Sequence, residues 1–117
     1  MTTQEIAKRV VELNRLGNHE TIYRELYDVN AVSIENWTDT PERYVGLEAI
    51  GKKGEAWMAD VIEIHETSCS EPLVSDSSFA VTFYMDITYK SMGRSKMTEM
   101  AIYTVKDGKI VQEEFQA

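Results

Sequence analysis

The residues equipped for chemistry are concentrated in the last third of the chain. Two runs that alternate apolar and polar side chains, Phe79 to Tyr89 and Lys96 to Val105, flank Lys90-Ser-Met-Gly-Arg-Ser95, in which Gly93 is the natural turn residue. A hairpin that turns at Met92-Gly93 sets Asp86 opposite Glu99, Tyr84 opposite Ala101 and Thr82 opposite Tyr103. One face then carries two carboxylates and two tyrosines, and the other carries Val81, Phe83, Met85, Ile87, Met100 and Ile102. Like charges directly across a ladder raise the pKa of one partner, so the pair Asp86 and Glu99 would hold a proton that an isolated carboxylate loses. With the Tyr103 hydroxyl beside it, such a pair suits general acid–base catalysis. Turned outward, the same carboxylates would be solvated or paired with lysine. His65 lies between Ile64 and Glu66 on an expected strand whose partner falls near Asp86. Facing inward it would move protons near neutral pH, and facing outward it is an ordinary strand histidine.

The preceding residues must supply the framework. Thr2 and Glu5 have the spacing of a capping box, and Ile6, Val10 and Leu13 form the inner face of the helix it starts, which Gly17 ends. Asn18 caps a second, shorter helix with Ile22 and Leu26 on one side. A strand follows over Ala31 to Trp37, alternating Val32 and Ile34 against Ser33 and Glu35, and then a polar loop containing Pro41 and Gly46. Leu47, Ile50, Trp57, Met58 and Val61 recur at helical spacing and predict a third helix, interrupted by Gly51 and Gly54. A strand around Ile62 to Ser70, a short run Leu73-Val74, the hairpin, and a last strand from Lys109 to Phe115 after Asp107-Gly108 complete the order. Helices first and antiparallel strands after predict an α+β fold, with three amphipathic helices on the concave face of one curved sheet. A convex face carrying Phe83, Met85 and Ile102 would be too apolar to leave wet, which predicts a homodimer through the sheet.

Composition narrows the partners. At 117 residues and 43% hydrophobic, the chain suits one domain over residues 1–117. A net charge of -8 argues against nucleic acid and against an anionic membrane surface, since both are bound by clustered Lys and Arg. No apolar run approaches the length of a membrane span, and Met1-Thr-Thr-Gln-Glu5 lacks the pattern of a signal peptide. The single cysteine, Cys69, excludes an internal disulfide and has no basic neighbour to activate it, which points to a reducing cytoplasm. No ligand spacing calls for a metal ion, and no cofactor is expected. Trp37, Trp57 and Tyr84 are candidates to line a pocket, with core packing the plainer role for Trp57.

The wording of the chain also resembles a known family. Leu26-Tyr-Asp-Val-Asn-Ala-Val-Ser-Ile-Glu35, Gly46-Leu-Glu-Ala-Ile50, Phe79 to Thr88, and Tyr103-Thr-Val-Lys-Asp-Gly-Lys-Ile110 with Glu113-Glu-Phe115 are similar to the SnoaL-like branch of the nuclear transport factor 2-like superfamily. The resemblance implies a cone-shaped α+β half-barrel with a small-molecule pocket between helices and sheet, and a dimer through the sheet. The superfamily holds isomerases, cyclases, dehydratases, epoxide hydrolases and non-enzymatic binding domains, so fold alone does not select among them.

What the resemblance implies for single residues is uneven. Glu35 falls where ketosteroid isomerase-like members carry the carboxylate that removes a proton next to a carbonyl. The first helix presents no tyrosine inward, so the isomerase oxyanion donor does not carry over. Epoxide hydrolase-like sites place an arginine two residues before a strand carboxylate, whereas Tyr84 precedes Asp86 and Met97 precedes Glu99 here. A cyclase-like pairing of His65 with Glu113 or Glu114 stays open. Two classes follow: an acid–base enzyme acting on a small, largely apolar carbonyl compound through Glu35, Asp86, Glu99, His65 and Tyr103, or a non-catalytic ligand-binding or dimerisation module of the same fold.

Overall fold

A computed structural model describes all 117 residues. Helix α1 (Thr3–Arg15) starts at the capping box: the Thr2 hydroxyl accepts from the Glu5 amide at 3.1 Å and Glu5 Oε1 accepts from the Thr2 amide at 2.9 Å. Helix α2 (His19–Leu26) is capped by the Asn18 side chain. Strand β1 (Tyr27–Asn36), strand β2 (Glu42–Val45), helix α3 (Leu47–Asp60) and strands β3 (Val61–Cys69), β4 (Leu73–Val74), β5 (Ser78–Tyr89), β6 (Gly93–Lys106) and β7 (Lys109–Gln116) complete the order. The loop expected before α3 contains the edge strand β2, which is short and polar.

The seven strands form one sheet in the order β2-β1-β7-β6-β5-β3, with β4 paired to β5. Every pairing is antiparallel except β1 with β7, so the sheet is mixed. The helices cover one face. Ile6, Val10 and Leu13 of α1, Ile22 and Leu26 of α2 and Ile50 of α3 are buried against Phe79 and Val81 of β5, Ala101 and Tyr103 of β6 and Ile110 of β7. Phe79 and Tyr103 stack at 4.6 Å between ring centroids. This is the α+β curved half-barrel that the resemblance implies. No helix is long and apolar enough to cross a membrane.

The hairpin register differs from the expected one, and the difference moves the chemistry. The chain turns over Lys90, Ser91 and Met92, and Gly93, at φ +75°, is already the strand partner of Tyr89. Asp86 therefore faces Lys96, and Glu99 faces Phe83. Slipping one strand by an odd number of residues exchanges its faces relative to its partner, so Asp86 and Glu99 lie on opposite sides of the sheet. Glu99 and Tyr103 share the helix-covered face with Phe79, Val81 and Phe83, while Asp86 and Tyr84 share the outer face with Met100 and Ile102. The expected apolar outer face loses Phe83 and Met85 for the same reason.

Asp107 and Gly108 both have positive φ, +51° and +74°, as a type I′ hairpin demands. Gly108→Ala is expected to lower unfolding stability in urea by about 1 kcal/mol, the cost of holding a Cβ in the left-handed region. An unchanged midpoint and slope would mean that this turn relaxes without cost.

Candidate active site

Alternation along β1, β7 and β6 builds a polar row inside the half-barrel. Ser33 on β1 pairs with Glu113 on β7, which pairs with Tyr103 on β6, which pairs with Phe79 on β5. In the next row Glu35 neighbours Phe115 and then Ala101, and Glu99 follows two residues before Ala101 on β6. Glu35 on β1, Glu113 on β7 and Glu99 on β6 thus lie on the same covered face of three neighbouring strands. Glu113 is 1% exposed, and Glu114, one residue on, points outward and accepts from Asn36 Nδ2 at 2.5 Å.

Lys53 of α3 reaches down into this row. Its Nζ donates to Ser33 Oγ at 2.6 Å, to Glu35 Oε1 at 2.7 Å and to Glu113 Oε2 at 3.4 Å. The Ser33 hydroxyl donates to Glu113 Oε2 at 2.6 Å, and the Tyr27 hydroxyl donates to Glu113 Oε1. Tyr44 and Phe115 present their rings to the same Nζ, with centroids at 5.3 and 4.8 Å. All acceptor oxygens of Glu113 are engaged. Glu35 differs: Oε1 is held by Lys53, and Oε2 is buried with no hydrogen-bond partner.

The apolar spacing that defines α3 does not by itself mark Lys53. The signal was present, because Lys53 stands one turn after the buried Ile50 and one turn before Trp57, on one helical face. Ser33 and Tyr27 likewise do not stand out by residue type, although Ser33 alternates in phase with Glu35.

Burial and the neighbouring Glu35 and Glu113 push the Glu99 carboxyl up to about 7, against the opposing pull of Lys53. Glu99 is therefore protonated in part of the chain population at neutral pH. Burial, reinforced by the Glu113 charge, also holds the Tyr103, Tyr27 and Tyr23 hydroxyls above the usual phenol range, so they are neutral donors.

The remaining candidates lie elsewhere. Asp86 is on the outer face and accepts both the Nε and an Nη of Arg94, at 3.0 and 2.9 Å, an arrangement that lowers its pKa. His65 sits in the irregularity between Ile64 and Glu66, with Nδ1 2.8 Å from Glu63 and Nε2 2.7 Å from Thr88 Oγ1. Its pairing is with outer-face groups, and the structure does not bring it to Glu35, Glu99 or Glu113. Tyr84 is on the outer face opposite Thr98, not in the interior. Trp37 follows the end of β1 and is 42% exposed, and Trp57 donates its indole N–H to the Tyr89 hydroxyl at 3.3 Å. Two surface depressions of about 510 and 300 Å³ open elsewhere, one at the start of α1 and one on the outer face beside β4.

The SnoaL-like domain family model matches residues 1–116. The chain belongs to the SnoaL-like domain family. A crystal structure from Mesorhizobium loti, named for a SnoaL-like polyketide cyclase with carbohydrate phosphatase in brackets, is 34% identical over 100% of both chains, with a TM-score of 0.92. A polyketide cyclase-named SnoaL-like protein from Jannaschia sp. CCS1 is 13% identical, with 98% of this chain and 85% of that one covered and a TM-score of 0.76. A Xanthomonas campestris protein of unknown function with a cystatin-like fold is 18% identical, with 98% and 89% covered and a TM-score of 0.77. The last two likenesses concern the fold alone. No curated protein matches the chain by sequence.

The raised Glu99 carboxyl has a consequence for stability. A group that binds its proton more tightly when folded makes the folded state lose stability as pH rises from its unfolded pKa to its folded one. Wild-type unfolding free energy is expected to fall between about pH 4.5 and about pH 7 relative to Glu99→Gln, by on the order of 3 kcal/mol. Urea unfolding at a series of pH values checks this, and parallel curves for the two chains would mean that Glu99 titrates as an exposed carboxyl.

Proposed function

We propose that this SnoaL-like protein is an acid–base enzyme of the isomerase or cyclase type, acting on a small, largely apolar carbonyl compound. The observation that carries the reading is the bare Oε2 of Glu35, buried within an otherwise satisfied cluster. A buried acceptor without a partner costs about 1–3 kcal/mol, and a reactant that brings a donor or a proton to it removes that cost. In the proposed step Oε2 takes a proton from the carbon next to the carbonyl, and the electron pair moves onto the carbonyl oxygen. The Tyr103 hydroxyl and the partly protonated Glu99 carboxyl stabilise that enolate by hydrogen bonding or by transfer of the Glu99 proton. Return of a proton to a different carbon gives an isomer, and attack of the enolate carbon on a second carbonyl gives a ring.

The name of the Mesorhizobium loti relative agrees with the cyclase side of this reading. A phosphate ester suits the cluster less well, because the donors of Lys53 are directed at Ser33, Glu35 and Glu113. The alternative, a binding module, uses the same Oε2 to receive a donor without removing a proton.

Exchange of carbon-bound hydrogen for deuterium separates the two. With cyclic ketones and 1,3-dicarbonyl compounds in D₂O, followed by proton NMR, wild type is expected to accelerate exchange and Glu35→Gln to lose about 100-fold or more of that acceleration. Equal rates for the two chains on every compound would remove Glu35 as the base.

A further inference from the structure

Lys53 is the one cation bonded into a cluster that holds Glu35, Glu99 and Glu113, and a half-buried lysine among carboxylates has two quite different uses. As a nucleophile it needs a free lone pair and a path to the carbonyl carbon. As a fixed ammonium it has three N–H donors and needs three acceptors. Ser33 Oγ, Glu35 Oε1 and Glu113 Oε2 are those three, at 2.6, 2.7 and 3.4 Å, and the rings of Tyr44 and Phe115 cover the remaining approaches. Helix α3 fixes where this ammonium sits. Ile50, one turn before it, is 2% exposed in the core, and Asp60 at the far end accepts from the Ser91 amide at 3.0 Å and the Ser91 hydroxyl at 2.6 Å.

We propose that Lys53 is the positioning residue of the site: its ammonium clamps Oε1 of Glu35, leaves Oε2 as the one oxygen of that carboxylate that meets a reactant, and takes no covalent part. The inference rests on the acid–base reading, since a clamp on Glu35 matters to a reaction only if Glu35 is its base. The same charge also governs Glu99. Burial, Glu35 and Glu113 raise the Glu99 carboxyl and Lys53 alone among the contributing groups opposes them. The other groups facing the cluster, Tyr23 of α2, Tyr27 of β1, Tyr44 of β2 and Tyr103 of β6, stay neutral. Loss of the Lys53 charge therefore moves Glu99 further up and strands it as an acid that no longer releases its proton near pH 7.

Carbon-13 NMR of glutamate-labelled full-length protein reads this directly. In Lys53→Met the Glu99 carboxyl is expected to titrate at least about 0.5 unit above its wild-type midpoint, and Lys53→Arg, which keeps the cation, is expected to restore most of that shift. In the exchange assay Lys53→Met is expected to lower kcat about tenfold or more with a smaller change in KM, since orientation and not binding is lost. Borohydride added to wild type with a ketone is expected to leave Lys53 unmodified by mass spectrometry, a readout that does not require any variant to fold. An unmoved Glu99 midpoint in Lys53→Met, or a ketone trapped on Lys53, would overturn the proposal. Retained exchange in Glu35→Gln would instead remove the base, while the titration and the trapping still decide whether Lys53 clamps or reacts.

Discussion

Glu113 is a carboxylate with almost no access to water, and the arrangement of the interior follows from what that requires. An ionised carboxylate in such a place costs several kcal/mol unless every oxygen is met by a donor. The donors come from separated parts of the chain: Tyr27 and Ser33 from the two halves of β1, and Lys53 from α3. Parallel pairing of β1 with β7 places Ser33 beside Glu113, and the docking of α3 over β1 and β2 brings Lys53 within reach. One buried charge thus ties the helix layer to the centre of the sheet. Removing any of these donors leaves a buried acceptor short.

The cluster also shows how environment assigns different work to the same functional group. Glu113 has its oxygens satisfied and acts as the anchor. Glu35 shares the lysine through one oxygen and keeps the other bare. Glu99 has neither a cation of its own nor water enough, and its carboxyl is raised to about 7. Asp86, on the opposite side of the sheet, meets a guanidinium fork and is shifted the other way. Groups with contrasting environments are the usual partners in acid–base chemistry, and Glu35 and Glu99 lie on the same helix-covered face while Asp86 does not.

Much of this was legible from residue order. The capping box at Thr2 and Glu5, the cap at Asn18 and the Asp107-Gly108 turn are local signals and appear in the structure where their chemistry places them. Alternation identified which residues of β5 and β6 share a face within each strand, and the family resemblance put Glu35 in the interior. The relation between the two strands was not legible, because it depends on whether Gly93 lies inside the turn or begins the next strand. That single choice moved Asp86 and Tyr84 out of the site while Glu99 and Tyr103 stayed in. Strand β2 was hidden because an edge strand of four mostly exposed residues has little apolar alternation to display. Lys53 is not evident from the apolar members of its helix face, because a long amphipathic side chain on that face can reach a buried carboxylate as readily as it can reach water.

Reactants are proposed to meet this protein at Glu35, Glu99 and Tyr103 inside the half-barrel. Amide and carboxyl chemical-shift mapping with a small cyclic ketone measures it without presuming turnover. Saturable shifts are expected on Glu35, Glu99, Tyr103 and Phe115, with Asp86, His65 and Tyr84 unmoved. Shifts confined to the outer-face residues Asp86, His65 and Tyr84 would contradict it.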